Sequence, residues 1–72
     1  MPKDISAGVR WLQRAADQGE AGALYNLGTC YYNGEGVPKD FDKALALLKR
    51  AADGGHEGAA QAIRQLKAAL AR

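Results

Sequence analysis

Few side chains in this 72-residue sequence are of types that activate a nucleophile or hold a metal ion. There is one cysteine, Cys30, and one histidine, His56. An intrachain disulfide needs two cysteines, and a zinc site needs several ligands at suitable spacing, so neither is predicted. Cys30 falls on an apolar helix face and is expected in the core. His56 lies beside Glu57 and is expected to be a solvated turn residue. No catalytic residue, metal site or cofactor is predicted.

The aspartates and one glycine-rich segment are the remaining candidates for chemistry. Asp4 and Asp40 each follow a Pro-Lys pair, where a carboxylate can accept the free backbone amides of a helix's first turn. Asp17 and Asp42 are expected on solvated helix faces rather than in a paired-carboxylate site. The segment 34–36 (Gly-Glu-Gly) lacks the lysine and the preceding strand of a phosphate loop. We therefore expect no enzymatic activity.

Composition and charge exclude several other classes of protein. The chain is 47% hydrophobic and 25% charged, which is typical of a globular protein and argues against disorder. Its net charge of +2 is too small and too dispersed to predict nucleic-acid binding. No apolar run approaches the length of a membrane span, so no membrane insertion is expected. The N-terminus lacks the apolar stretch of a secretion signal, which makes a cytoplasmic location the default, although a processed mature form would read the same.

An internal repeat is the most informative feature of the sequence. Shifting the chain by 36 residues gives 11 identities among 36 aligned pairs, including segment 2–4 on 38–40 and segment 14–17 on 50–53. This self-similarity predicts two copies of one structural unit. We assign a single repeat domain over 1–72, with repeat one at 2–37 and repeat two at 38–72.

Each unit is predicted to form two helices. After Asp40, apolar residues recur at three- and four-residue steps, which is the pattern of an amphipathic helix; they are Phe41, Ala44, Leu45, Leu48, Ala51 and Ala52. The predicted helices are about Ile5–Asp17, Ala21–Asn33, Asp40–Asp53 and Glu57–Ala71, separated by glycine turns. Stacking of the two hairpins predicts an all-α fold, an α/α superhelix (solenoid) of about two helix-turn-helix repeats with four helices.

The glycines, alanines and aromatic residues of repeat one carry a family resemblance. The motif consists of Gly19, Ala23, Leu27, Gly28, Tyr31, the segment Gly34-Glu35-Gly36-Val37, Asp40, Lys43 and Ala44. It closely resembles the Sel-one-like repeat, a relative of the tetratricopeptide repeat with a unit of about 36 residues. The resemblance implies that Gly28 and Ala23 allow close helix approach, that Tyr31 fills the gap beside them, and that Gly34 and Gly36 permit a sharp return.

The last helix departs from the family pattern. Arg64 stands at the position of Gly28, and Lys67 at the position of Tyr31. Charged residues in place of the packing glycine and tyrosine are typical of a capping helix that presents polar groups to water. We expect the array to stop there.

The resemblance implies a scaffold or adaptor that binds a protein or peptide. By analogy with tetratricopeptide solenoids, the ligand would lie on the concave face, which is lined by the helix carrying Leu27-Gly28 and its successor. The predicted contact residues are Tyr25, Asn26, Thr29, Tyr32, Gln61 and Gln65. Alternatively, the two tyrosines, taken to be exposed, pack against a neighbouring repeat or a second copy. Relatives rich in paired cysteines have been associated with β-lactam binding or hydrolysis, but this chain lacks those cysteines.

A structural role without a ligand is the alternative function. The chain could be an excised or engineered pair of repeats, or a short protein that forms a homo-oligomer end to end through exposed repeat ends. The first helix, which carries Ile5, Val9 and Trp11, has no preceding helix to cover its outer side, and this exposed apolar end would drive association. Trp11 and its equivalent Leu47 are expected to pack against the adjacent helix pair.

Overall fold

The computed structural model describes the backbone of residues 5–71 and the side chains of residues 8–69 and of Ala71. It contains four helices: α1 (Ile5–Asp17), α2 (Ala21–Asn33), α3 (Phe41–Asp53) and α4 (Glu57–Leu70). No strand occurs within residues 5–71, so the predicted all-α fold of four helices is confirmed. The predicted cap at Asp4 lies outside the described residues.

The turn between α1 and α2 and the turn between α3 and α4 have the same backbone hydrogen bonds. Gly19 and Gly55 have φ angles of 84° and 94°, in the left-handed region that glycine adopts without steric cost. The Gly19 amide donates to the Ala16 carbonyl at 2.9 Å, and 36 residues later the Gly55 amide donates to Ala52 at 2.9 Å. In each turn the amide of the next residue donates to the carbonyl five residues earlier: Glu20 to Ala15 at 3.2 Å, and His56 to Ala51 at 3.0 Å. This pair of bonds is the Schellman motif, which satisfies the last carbonyls of α1 and α3.

The loop between the two repeats is held by its own backbone and by one side-chain cap. Gly34 and Gly36 both have φ angles of 72°, as predicted for a sharp return. The Asp40 amide donates to the Tyr31 carbonyl at 2.9 Å and ties the start of α3 to the end of α2. The Asp40 carboxylate accepts the Lys43 amide at 3.0 Å, which confirms the predicted N-cap.

Small side chains allow the helices to pack closely around one core. The buried hydrophobic residues come from all four helices: Val9, Ala16, Leu24, Leu27, Tyr31, Ala44, Leu48, Ala51, Ala59 and Leu66. The most extensive packing joins α2 to α3. At their crossing, a Cβ placed on Gly28 would lie 3.1 Å from Leu48 Cγ and 3.2 Å from the Ala44 carbonyl oxygen. The expected roles of Gly28 in close approach and of Tyr31 as a buried filler are both confirmed.

Two predicted packing positions, Trp11 and Phe41, differ in the structure. Trp11 was expected to pack against the adjacent helix pair, but it is 70% exposed, because α1 packs extensively only on α2. Its equivalent Leu47 is half-buried, since α3 has both α2 and α4 beside it. Phe41 was placed in the core stripe, yet it is 40% exposed at the first position of α3.

Helix α4 presents a polar outer face. Arg64 and Lys67 are exposed, whereas the residues 36 positions earlier, Gly28 and Tyr31, are buried against α3. The structure describes extensive packing of α4 only on α3. Two long charged side chains therefore occupy the positions through which α2 contacts the next helix.

Candidate functional site

A cleft of about 240 Å³ opens between α2 and α4, with α3 contributing to its wall. Its lining comprises Tyr25, Thr29, Tyr32, Asn33, Leu48, Ala62, Gln65 and Leu66. On α2 the spacing of 25, 29 and 32 places the three side chains on one helix face. On α4 the spacing of 62, 65 and 66 does the same. We call this the Tyr25–Tyr32 cleft.

Four of the six residues expected to contact a ligand meet in this cleft. Tyr25, Thr29, Tyr32 and Gln65 line it, whereas Asn26 and Gln61 are exposed outside it. The sequence reasoning missed Asn33, Leu48, Ala62 and Leu66. Asn33 lies four residues after Thr29, and Ala62 lies three before Gln65, so helical spacing would have identified both. Leu48 comes from α3, and no local pattern marks its contribution.

The two tyrosines are half-buried, which corrects the expectation that they are exposed. The Tyr25 ring stacks on the His56 imidazole with 4.5 Å between ring centroids and an interplanar angle of 14°. The Tyr32 ring lies tilted against Phe41 at 5.5 Å and 56°. An aromatic neighbour restricts the rotation of each tyrosine, so the walls of the cleft are held in place before any ligand arrives.

His56 is an N-cap and not the solvated turn residue that was expected. Its Nδ1 accepts the Ala59 amide at 3.0 Å, which satisfies one of the free backbone donors at the start of α4. The ring is partly buried under Tyr25. Gly58 accommodates it, because a Cβ at that position would lie 2.9 Å from His56 Cε1. The equivalent residue in repeat one, Glu20, makes no side-chain cap.

The polar groups of the cleft are neutral. Thr29 Oγ1 donates to the Tyr25 carbonyl at 3.0 Å, so its hydrogen is used within α2 and its oxygen remains an acceptor. Asn33 and Gln65 supply amide donors and acceptors. Among the side chains that line the described cleft, none is charged. The cleft therefore combines apolar and aromatic walls with hydroxyl and amide groups.

Cys30 lies at the edge of the core rather than inside it. It is half-buried beside the core residues, and its thiol forms no disulfide. Burial raises the pKa of the Cys30 thiol above its usual value, and the nearby Glu35 carboxylate raises it further. The thiol is therefore kept in the protonated form, which is the poorer nucleophile and metal ligand.

A second surface depression surrounds Trp11 near the first turn. Its lining comprises Trp11, Arg14, Ala15, Asp17, Gln18 and Glu20, with charges of both signs. Within the described residues, no three histidine, cysteine or acidic side chains are grouped so as to hold a metal ion. None of the helices described has the length and apolar character needed to cross a lipid bilayer.

Comparisons with known proteins agree with the repeat geometry. The profile of the Sel1 repeat matches residues 1–20 and 21–56; its second unit runs from α2 to the start of α4. The chain resembles a crystal structure of a Sel1 repeat protein from Oxalobacter formigenes, with 42% sequence identity and a TM-score of 0.87. The match covers 92% of this chain and 19% of that protein, so this chain spans about a fifth of its length. No curated protein matches.

Sel1 repeats form a non-catalytic class of scaffold and generally mediate protein–protein interaction. Both the matched profile and the solved structure cover more than two thirds of this chain. The same 36-residue geometry recurs in its helices and turns. The chain therefore belongs to the Sel1 repeat family.

Proposed function

We propose that this chain is a scaffold or adaptor module that binds a peptide or protein segment in the Tyr25–Tyr32 cleft. The observation that carries this proposal is the convergence of two anchored tyrosines with Thr29 and Gln65 on one concavity. Pockets for drug-sized ligands usually have volumes of roughly 300–1,000 Å³. A cleft of about 240 Å³ fits one anchoring side chain of a peptide better than a whole small molecule.

The neutral lining defines the chemistry of the expected ligand. An apolar side chain of the peptide would contact Tyr32 and Leu66. The backbone groups of the peptide beside it would form hydrogen bonds with the side-chain amides of Asn33 and Gln65. Tyrosine is enriched at binding hot spots because it joins a large apolar area to a hydrogen-bonding tip. Because the lining carries no charge, the affinity should depend only weakly on ionic strength.

The proposal is tested with peptides selected from a random displayed library against the folded chain. Gln65→Ala removes a polar group from the cleft and is expected to weaken binding about fivefold, the effect of one hydrogen bond worth about 1 kcal/mol. Ala62→Leu fills the cleft and is expected to abolish binding. Gln61→Ala is the matched control, since Gln61 is an exposed residue one turn earlier on α4 and outside the cleft.

The decisive comparison is among these three variants, each checked for folding by circular dichroism. Selection of a binding peptide alone is not support, because it does not locate the site. If the peptides bind Ala62→Leu and Gln61→Ala with equal affinity, the cleft is not the binding site. If Gln61→Ala alone weakens binding, the ligand lies on the exposed ridge of α4 instead.

End-to-end self-association is the second candidate, favoured by the exposure of Trp11. Stacking α4 of one copy on α1 of another, as α2 stacks on α3, would bury the charged side chains of Arg64 and Lys67 at the positions equivalent to Gly28 and Tyr31. It would also place the Arg64 side chain at the position equivalent to Gly28, where even a Cβ would lie 3.1 Å from a side chain of the next helix. Both effects oppose the contact, so we favour a monomer. Light scattering that shows a dimer lost in Trp11→Ala would reverse this order.

A further inference from the structure

His56 connects three parts of the molecule. Its amide donates to the Ala51 carbonyl at 3.0 Å and completes the turn that ends α3. Its Nδ1 caps α4 through the Ala59 amide at 3.0 Å. Its ring stacks on Tyr25, which forms one wall of the Tyr25–Tyr32 cleft. A change at this single imidazole therefore reaches the start of α4 and the cleft together.

The cap exists in only one protonation state of the ring. A neutral imidazole has one nitrogen that accepts a hydrogen bond, and here that nitrogen is Nδ1. An imidazolium has two N–H donors and no acceptor, so it cannot accept the Ala59 amide. Its positive charge would also lie at the positive end of the α4 dipole, where cations are unfavourable.

One interaction acts in the opposite direction. An imidazolium stacked on Tyr25 gains a cation–π attraction, about two- to fivefold in an equilibrium constant at an exposed site. Repulsion from the helix dipole is of about the same size, so these two effects roughly cancel. The lost cap remains, and a typical N-cap is equivalent to about fivefold in the folding equilibrium. The balance therefore favours release of the cap on protonation.

The groups that face the imidazole are few. From α2 it meets the Tyr25 ring, from α4 the Ala59 amide and the Gly58 backbone, and from α3 the Ala51 carbonyl receives its amide. Glu57 follows it in sequence and is exposed. The contacts that the structure describes for the ring include no charged side chain that would hold a proton on it.

We propose that His56 is a pH-sensitive latch, which caps α4 from its place against the Tyr25 wall when neutral and releases the cap when it takes up a proton. The unfolded chain has no cap to lose, so the stabilisation is present at higher pH. It is lost when the ring takes up a proton, and histidine is the side chain whose ordinary charge change lies in the physiological pH range. The latch does not depend on what binds in the cleft, and its test needs no ligand.

The test compares the native chain with His56→Asn from pH 8 to pH 5. Asparagine is a good N-cap whose side chain does not titrate. Changes in stability that arise from all other titratable groups are the same in both proteins. His56 is the only histidine, so the difference between the two curves reports this residue. We expect the native chain to lose roughly 4–8 °C in Tm relative to the variant, the shift for a fivefold change in a domain of this size.

Nuclear magnetic resonance of the native chain gives an independent measurement if His56→Asn does not fold. As the His56 Cε1 proton titrates, the protection factor of the Ala59 amide, which compares its exchange rate with the intrinsic rate at each pH, should fall. The Tyr25 ring resonances should shift with the same midpoint. The latch is overturned if the Ala59 amide stays protected while His56 titrates, or if the two melting curves move in parallel. A native chain that gains stability at pH 5 would show that the stack with Tyr25 outweighs the cap, which also overturns it.

Discussion

Replacing Gly28 by alanine tests the close approach of α2 and α3 directly. The new Cβ would lie 3.1 Å from Leu48 Cγ, 3.2 Å from Leu48 Cδ2 and 3.2 Å from the Ala44 carbonyl oxygen. Ordinary contacts of a methyl group are close to 3.5–4.0 Å. The two helices must therefore separate by several tenths of an ångström, or Leu48 must leave its place in the core. Ala44 is fully buried and Leu48 is 3% exposed, so a shift of the helices or a turn of Leu48 towards the Tyr25–Tyr32 cleft would disturb the core.

Two opposing effects decide the size of the change. Alanine is a better helix former than glycine by about 0.8–1.0 kcal/mol, which stabilises the variant. Overpacking a tight core costs about 1–3 kcal/mol. The free energy of unfolding of Gly28→Ala should therefore fall by up to about 2 kcal/mol, or by roughly 8–16 °C in Tm at the upper limit.

Gly8→Ala separates these two effects. Gly8 also lies inside a helix, but a Cβ placed there meets nothing within 4 Å. Only the propensity gain remains, so this variant should be more stable by up to about 1 kcal/mol. Urea denaturation followed by circular dichroism measures both variants, and their difference isolates the steric cost. If Gly28→Ala is stabilised as much as Gly8→Ala, the helices do not approach as described and the packing argument fails.

Three further perturbations test individual contacts. Gly58→Ala should be less stable than Gly22→Ala by about 1 kcal/mol, because both gain helix propensity but only the Cβ at position 58 would displace the His56 cap; thermal unfolding of the pair measures this difference. Asp40→Ala should cost about 0.5–2 kcal/mol through loss of the α3 cap, and full stability in urea would refute that role. Because its pKa is raised, the Cys30 thiol should react with iodoacetamide at pH 8 more slowly than in the urea-unfolded chain, and equal rates would contradict this.

The order and bounds of the helices could be predicted because their determinants are local and occur twice. Gly19 and Gly55 close equivalent turns with the same hydrogen bonds, and Asp40 caps α3 from a position marked by the preceding proline. Residues 5–17 and 41–53 form helices exactly 36 positions apart, as the self-alignment required. The 36-residue repeat was therefore sufficient to predict the order and the bounds of these helices.

The side-chain partners within the candidate site could not be predicted in the same way. Tyr25 and His56 are far apart in the sequence and meet only because α4 begins beside α2. Histidine is not among the preferred capping residues, so its position before Glu57 gave a weak signal. Gly58 was visible in the repeat as the equivalent of Gly22, but the room that it leaves for the His56 imidazole could be seen only in three dimensions, since a Cβ on Gly22 meets nothing within 4 Å.

The packing of each helix chiefly on its sequence neighbours has a consequence for how the molecule comes apart. The interface between α2 and α3 is the most extensive, and each outer helix is held mainly by one inner helix. Stability in such an arrangement is distributed along a line, as a sum of neighbour terms. Opening therefore begins at α1 or α4 and reaches the central pair last. The Tyr25–Tyr32 cleft lies between parts of unequal stability. One wall belongs to the central helix α2, and the other belongs to α4, which opens more readily.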